Sequence, residues 1–222
     1  RGDGQQCLHG GNTHFRAEHA HRAQGRVADQ AQGHVVHPDD GNTMIAGYKN
    51  IWITHDLKNS SAITWKKLSN NLGDRNDMNI SSIELSPAQP KIFYFTRSDR
   101  KLYRTDDITR DAPVWIDLSS NLPYAVTPTA LECHPFDPLT LYAGINRRVY
   151  KSTDKGQTWT NISGTLPQIT INTIYYDQSS NEGLYVGTDA GIYFKDATMT
   201  DWVFYNTNLP LSVEAYELEA YY

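Results

Sequence analysis

KSTDKGQTW, residues 151–159, places a serine, an aspartate, a glycine, a threonine and a tryptophan at close, fixed offsets. Ser152 and Asp154 look like a nucleophile beside an acid. Both are also short polar side chains of the kind that hydrogen-bond a turn's own amides. The choice depends on recurrence, because self-similarity at a fixed period is a property of architecture. The pattern does recur. Trp65, Trp115, Trp159 and Trp202 lie 50, 44 and 43 residues apart, and seven residues after each stands a leucine: Leu72, Leu122, Leu166 and Leu209. Upstream, an aromatic marks each copy: Trp52, Tyr103, Tyr150 and Tyr193. Two residues on come Thr54, Thr105, Ser152 and Lys195; four on come Asp56, Asp107, Asp154 and Ala197, with Asp196 one place early. Agreement at four offsets in four copies makes this a repeat.

Each unit reads as four short strands. In the third copy they are TALECH (129–134), TLYAGI (140–145), RVYKST (148–153) and TWTNIS (158–163), separated by PFDPL, NR and DKGQ. Those separators carry the Pro, Asp, Asn and Gly that tight turns require. Alternation puts Ala130, Glu132 and His134 on one face and Leu131 and Cys133 on the other. No stretch shows a 3.6-residue period. Four strands at this period predict an all-β β-propeller, whose blades bury their faces only by stacking on neighbours. The expected blades span about 34–72, 80–122, 129–166 and 172–209, within a repeat region of 34–210. VEAYELEAYY, in 211–222, reads as the first strand of a further blade. Four blades are few for a closed ring, so the propeller is expected to be incomplete.

Residues 1–33 differ in composition. They hold no Ile, Met, Tyr or Trp and are crowded with His, Gln, Arg, Ala and Gly. The segment admits three readings: a disordered tail, a stretch translated in a shifted frame, or a histidine cluster. For the last, His14, His19 and His21 lack the spacing of a zinc motif. No metal and no cofactor is expected. The formal net charge of −5 excludes a basic nucleic-acid surface. No run of 18 apolar residues is present to span a membrane. Cys7 and Cys133 make no disulfide framework.

The string SxDxGxTW resembles the Asp-box, or BNR repeat, and Ser152, Asp154, Gly156, Thr158 and Trp159 match it in full. The other three copies are degraded, two of them with longer loops, LKNSSAI and ITRDAPV. The resemblance covers 34–210. It extends to propellers of the sialidase, xyloglucanase and sortilin-like superfamily, and most closely to blades of large secreted bacterial proteins, where GLYVGTDAGIY and a following NLP are characteristic. It implies an extracellular or cell-surface setting. It also implies that the box lies on the hairpin between the third and fourth strands. A structural role for Ser152 and Asp154 follows, with Gly156 free to take a positive φ and Trp159 buried under the turn.

Sialidases with this box need an arginine triad and a Tyr–Glu pair. The chain has no Arg-Ile-Pro, and its adjacent Tyr216 and Glu217 sit in an alternating strand. Family 74 glycosidases use two facing aspartates; Asp137, Asp177 and Asp189 fall in loops and read as turn residues. No catalytic residue is therefore expected. The reading is a non-catalytic binding or scaffolding module for carbohydrate or protein, joined to further blades or domains. The alternative is a fragment of a sialidase-like or xyloglucanase-like hydrolase. Propellers bind ligands through loops on the axial face, which picks out Tyr48, Arg97, Asp99, Asn146, Arg147 and Asp189 near the turns between second and third strands.

Overall fold

The structure is a computed structural model and describes residues 33–59, 61–69, 72, 78–206 and 213–219. The histidine-rich segment, with His14, His19, His21 and Cys7, falls outside the described residues save for Gly33.

Four antiparallel sheets follow one another along the chain, each made of four consecutive strands in sequential order. The first holds β1 (Gly33–His37), β2 (Asp40–Gly47), β3 (Ile51–Thr54) and β4 (Lys66–Lys67); the second β5 (Ile80–Leu85), β6 (Phe93–Arg97), β7 (Lys101–Thr105) and β8 (Ile116–Asp117). The third holds β9 (Ala130–Cys133), β10 (Leu141–Ile145), β11 (Arg148–Ser152) and β12 (Thr160–Asn161); the fourth β13 (Ile171–Asp177), β14 (Gly183–Thr188), β15 (Gly191–Lys195) and β16 (Val203–Phe204). Among the described residues only Ser119–Asn121 is helical, as one 3₁₀ turn. The fold is an all-β propeller arc of four blades. Its middle strands run as continuous apolar stretches because they are covered on both faces, while the fourth strands are short and exposed.

The first strands stand innermost and touch in sequence: β1 against β5, β5 against β9, β9 against β13. The core lies between blades. Ile45, Ile51 and Ile53 of the first blade meet Phe93, Phe95 and Tyr103 of the second, with Trp115 edge-on to Phe95 at 5.1 Å. Tyr94 and Leu102 meet Leu131, Leu141 and Tyr150, and Tyr142 and Val149 meet Ile174, Val186 and Trp202. Leu131 and Cys133 face backward and Ala130 forward, as the alternation requires. The innermost approach is close enough to need glycine. A Cβ on Gly144 would lie 2.9 Å from Ile171 Cβ, and one on Gly47 would lie 2.9 Å from Ile80 Cγ2.

The hairpin 152–159 is closed by its own side chains. The Ser152 hydroxyl donates to Asp154 Oδ1 at 2.8 Å and accepts the Gly156 amide at 2.8 Å. Asp154 Oδ1 accepts the amides of Gln157 (2.9 Å) and Thr158 (2.8 Å), and its Oδ2 accepts the Thr158 hydroxyl at 2.6 Å. Gly156 sits at φ 83°, where an added Cβ would lie 3.1 Å from Leu118 Cδ1 of the preceding blade. The first blade closes a longer loop with the same chord: Asp56 accepts the amide and hydroxyl of Thr64, the residue before Trp65. In the second blade Val114 holds that place and offers no hydroxyl, so Asp107 turns to Thr109 within the loop.

Candidate binding site

The turns between second and third strands share one end of the arc. The pairings Gly33 with Gly47, Ile80 with Arg97 and Ile171 with Thr188 bring the starts of the innermost strands to that same end. Of the residues expected to contact a ligand there, Arg97 and Asp99 are joined to each other. Arg97 is 6% exposed. Its Nε and one terminal nitrogen fork onto the two Asp99 oxygens at 2.8 Å each, and the other donates to the Leu72 carbonyl at 3.0 Å. Its guanidinium lies 5.5 Å over the Tyr103 ring. That fork holds the Asp99 carboxyl below its ordinary range. Asn146 (φ 49°) and Arg147 (φ 62°) form an exposed two-residue turn with both residues left-handed. Asp189 is exposed, accepts Asn172 Nδ2 at 3.0 Å, and is kept low by the Thr170 and Asn172 hydrogen bonds and then by the Arg147 charge. Arg147 and Asp189 thus sense each other's charge across neighbouring blades. Tyr48 is half-buried at the first blade's turn, with Lys49 Nζ 5.8 Å from its ring centre.

Beside these turns the arc borders an open axial cavity of about 450 Å³, lined by all four innermost strands and by residues 216–219. Its wall carries Ser81, Ser82, Thr129, Thr173, Asn172, His34, Tyr216 and four carboxyls: Glu84, Glu132, Glu217 and Glu219. Glu84 faces Tyr94 across its sheet, and Glu132 faces Tyr142 at the same position one blade on. Each reaches forward to the next innermost strand. Glu84 Oε1 accepts the Cys133 amide at 3.1 Å, and Glu132 Oε1 accepts the Tyr176 amide at 3.0 Å. Burial pushes both carboxyls up, Glu132 to about 7 and Glu84 well above the free value; Glu84 is raised further by the Glu132 charge. The buried Cys133 thiol is raised by burial and by both glutamates. No group of three or more His, Cys, Asp or Glu among the described residues is arranged to hold a metal ion.

A second cluster ties the third and fourth blades together at the opposite end. Glu182, at φ 57°, receives His134 Nε2 (3.1 Å), Lys151 Nζ (3.2 Å) and the hydroxyls of Tyr142 and Tyr176 (3.4 Å each). The amides of Phe136 and Asp137 donate to His134 Nδ1 at 3.1 and 3.0 Å, which leaves the ring proton on Nε2 and aimed at Glu182.

The sequence expectations passed over the axial carboxyls. One signal was available: a lone glutamate at the same place in the innermost strands ISSIEL and ALEC, each between apolar neighbours. Each stands ten residues before a second-strand tyrosine, Tyr94 and Tyr142, and that shared offset aligns the two.

No protein-family profile matches the chain, and no curated protein matches it. Solved structures do. A family 74 xyloglucanase from Xanthomonas campestris superimposes with a TM-score of 0.59 at 14% identity, over 82% of this chain and 31% of that one. An ancestral family 74 enzyme gives 0.60 at 16% identity, over 82% and 26%. Both likenesses concern the fold, and the chain spans a third or less of those structures. No helix among the described residues is long and apolar enough to cross a membrane.

Proposed function

We propose that this chain is a non-catalytic binding and scaffolding part of a propeller in a secreted or cell-surface protein, and that it takes a hydroxyl-rich glycan at the axial cavity. One observation carries the reading. The two glutamates best suited to acid–base work each bridge to a backbone amide of the following blade. The hydroxyls of Ser81, Ser82 and Thr173 on the same wall are left to meet a ligand, beside Asn172, which donates to Asp189, and Thr129, which donates to the Ile171 carbonyl. Such hydroxyl and amide groups, with carboxylates as acceptors, suit sugar hydroxyls, and Tyr216 is 67% exposed for stacking. The solved neighbours named for a glycoside hydrolase family support a carbohydrate. The turn 152–159, read as an Asp-box, supports the superfamily.

A glycan array followed by calorimetry tests this. Asn172→Ala and Tyr216→Ala are expected to weaken glycan binding about tenfold each, roughly 1.4 kcal/mol, with the melting temperature unchanged. Retention of full affinity by both variants would sink the axial site. The second reading, a fragment of a glycoside hydrolase, is favoured by Glu132 titrating near 7 beside Glu84. Turnover of fluorogenic sialosides or xyloglucan oligosaccharides, abolished by Glu132→Gln, would establish it instead.

A further inference from the structure

In the first three blades the side that looks toward the following blade is closed. Tyr94 and Tyr142 are 1% exposed, and Ile51, Leu102 and Val149 are fully buried. Just past the fourth strand stand Leu68, Leu118 and Ile162, whose amides donate to the carbonyls of Ile51, Leu102 and Val149. Register puts Tyr185, Ile192 and Tyr205 at these places in the fourth blade. Tyr185 faces Phe194 as Tyr142 faces Lys151, and the Tyr205 amide donates to the Ile192 carbonyl at 2.8 Å. Here the side is open. Tyr205 is 47% exposed, where Leu68 and Leu118 are 4% and 2%. The aromatic rings cover only one another: Tyr185 lies 4.6 Å from Phe194 and 5.3 Å, edge-on, from Tyr205.

Two features say what belongs there. The first is the segment 213–219. Ala215 abuts Gly187, where an added Cβ would lie 3.1 Å from Ala215 Cβ, as Ile80 abuts Gly47 and Ile171 abuts Gly144. The Ala215 amide donates to the Thr188 carbonyl at 3.0 Å, as the Ile80 amide does to that of Tyr48. Ile80 and Ile171 each open the innermost strand of the next blade. The second is a tryptophan latch at two of the three interfaces, Trp159 Nε1 at the other being buried without a partner. Trp115 Nε1 donates to the Leu68 carbonyl at 3.3 Å and Trp202 Nε1 to that of Ile162 at 2.8 Å. Tyr205 holds the corresponding carbonyl in the fourth blade.

We propose that the Tyr185–Phe194–Tyr205 face docks a fifth four-stranded blade of the same build, with 213–219 as its innermost strand and a tryptophan donating to the Tyr205 carbonyl. The inference continues three interfaces already present in the molecule. It rests on the fold and is independent of the axial glycan.

The test appends a second copy of residues 133–166 after Glu219 of the full chain. Glu219 stands four residues past Ala215, as Glu84 stands four past Ile80, so the copy enters in register. Hydroxyl-radical footprinting then reads Tyr185 and Tyr205. Both are expected to be modified several-fold more slowly in the extended chain than in the 222-residue chain, and Tyr205→Asp in the extended chain is expected to expose Tyr185 again. Unchanged modification of Tyr205, or appended strands that stay protease-sensitive while the four blades resist, overturns the proposal. Protection of the 222-residue chain by xyloglucan oligosaccharides, or by raising its own concentration, also overturns it. Those outcomes assign the face to a glycan or to a second copy.

Discussion

Ser152 is buried, and its single oxygen serves three hydrogen bonds at once: it donates to Asp154 and accepts the amides of Asp154 and Gly156. Removing it leaves the Gly156 amide, which is also buried, without a partner, and an unsatisfied buried group costs more than an average hydrogen bond contributes. Ser152→Ala is therefore expected to cost about 1–3 kcal/mol in urea denaturation. The aspartates separate by what they hold. Asp154 and Asp56 each fasten the residue before a blade tryptophan, and so fix where that ring enters the core. Asp107 fastens only its own exposed loop. Asp154→Ala and Asp56→Ala are expected to lower the melting temperature by several degrees, Asp107→Ala by much less, and none to alter glycan binding. An equal loss in all three would show that the chord to the tryptophan is not what matters. Sequence spacing alone had set Asp56 apart, because it lies nine residues from Trp65 where Asp154 lies five from Trp159. The loop widens outside the chord, so the hydrogen bond survives the insertion.

At the scale of strands and blades, contacts within a unit were legible and contacts between units were not. Tryptophan and the leucine seven residues on keep one offset in all four copies, but the carbonyl that Trp115 or Trp202 reaches lies in the preceding blade. Glu84 reaches Cys133 and Glu182 reaches His134, partners almost fifty residues away that no local pattern joins. The four strands read in the third copy contain β9 to β12, and the alternation gave the right faces. The Glu182 latch isolates one such inter-blade term. Its carboxylate collects four donors from the third and fourth blades, yet its backbone is left-handed, a conformation costing a non-glycine residue about 1 kcal/mol. Glu182→Ala loses the donors and keeps the strain, whereas Glu182→Gly loses the donors and relieves it. Both are expected to be less stable than wild type, with the glycine variant recovering about 1 kcal/mol over alanine. A glycine variant more stable than wild type would mean that the latch contributes nothing net.

For the whole molecule, the innermost ring of strands sets how stability depends on pH. Glu84 and Glu132 face the axial cavity with His34 from β1 and Glu217 and Glu219 from the C-terminal segment, and the Cys133 thiol lies beside them. Burial raises both carboxyls, so folding prefers their protonated forms. Their contribution is complete below the free value of about 4.5 and is lost as pH rises through about 7, where Glu132 titrates. The turn carboxylates work in the opposite direction. Asp154 and Asp56 are held below the free value by hydrogen bonds that outweigh burial, so their contribution is present above about 3.8 and is lost as pH falls. The two groups together place the stability maximum between about pH 4 and 6, on the acid side of the usual range. Glu132→Gln keeps an acceptor for the Tyr176 amide and cannot ionise. It is expected to match wild type near the maximum and to melt several degrees higher at about pH 8, where wild type must carry a charge against Glu84. Differential scanning calorimetry across this range decides the matter. A wild-type chain that melts higher at about pH 8 than at about pH 5 would mean that the axial carboxyls are ionised without penalty, and that the cavity is wet enough to solvate them.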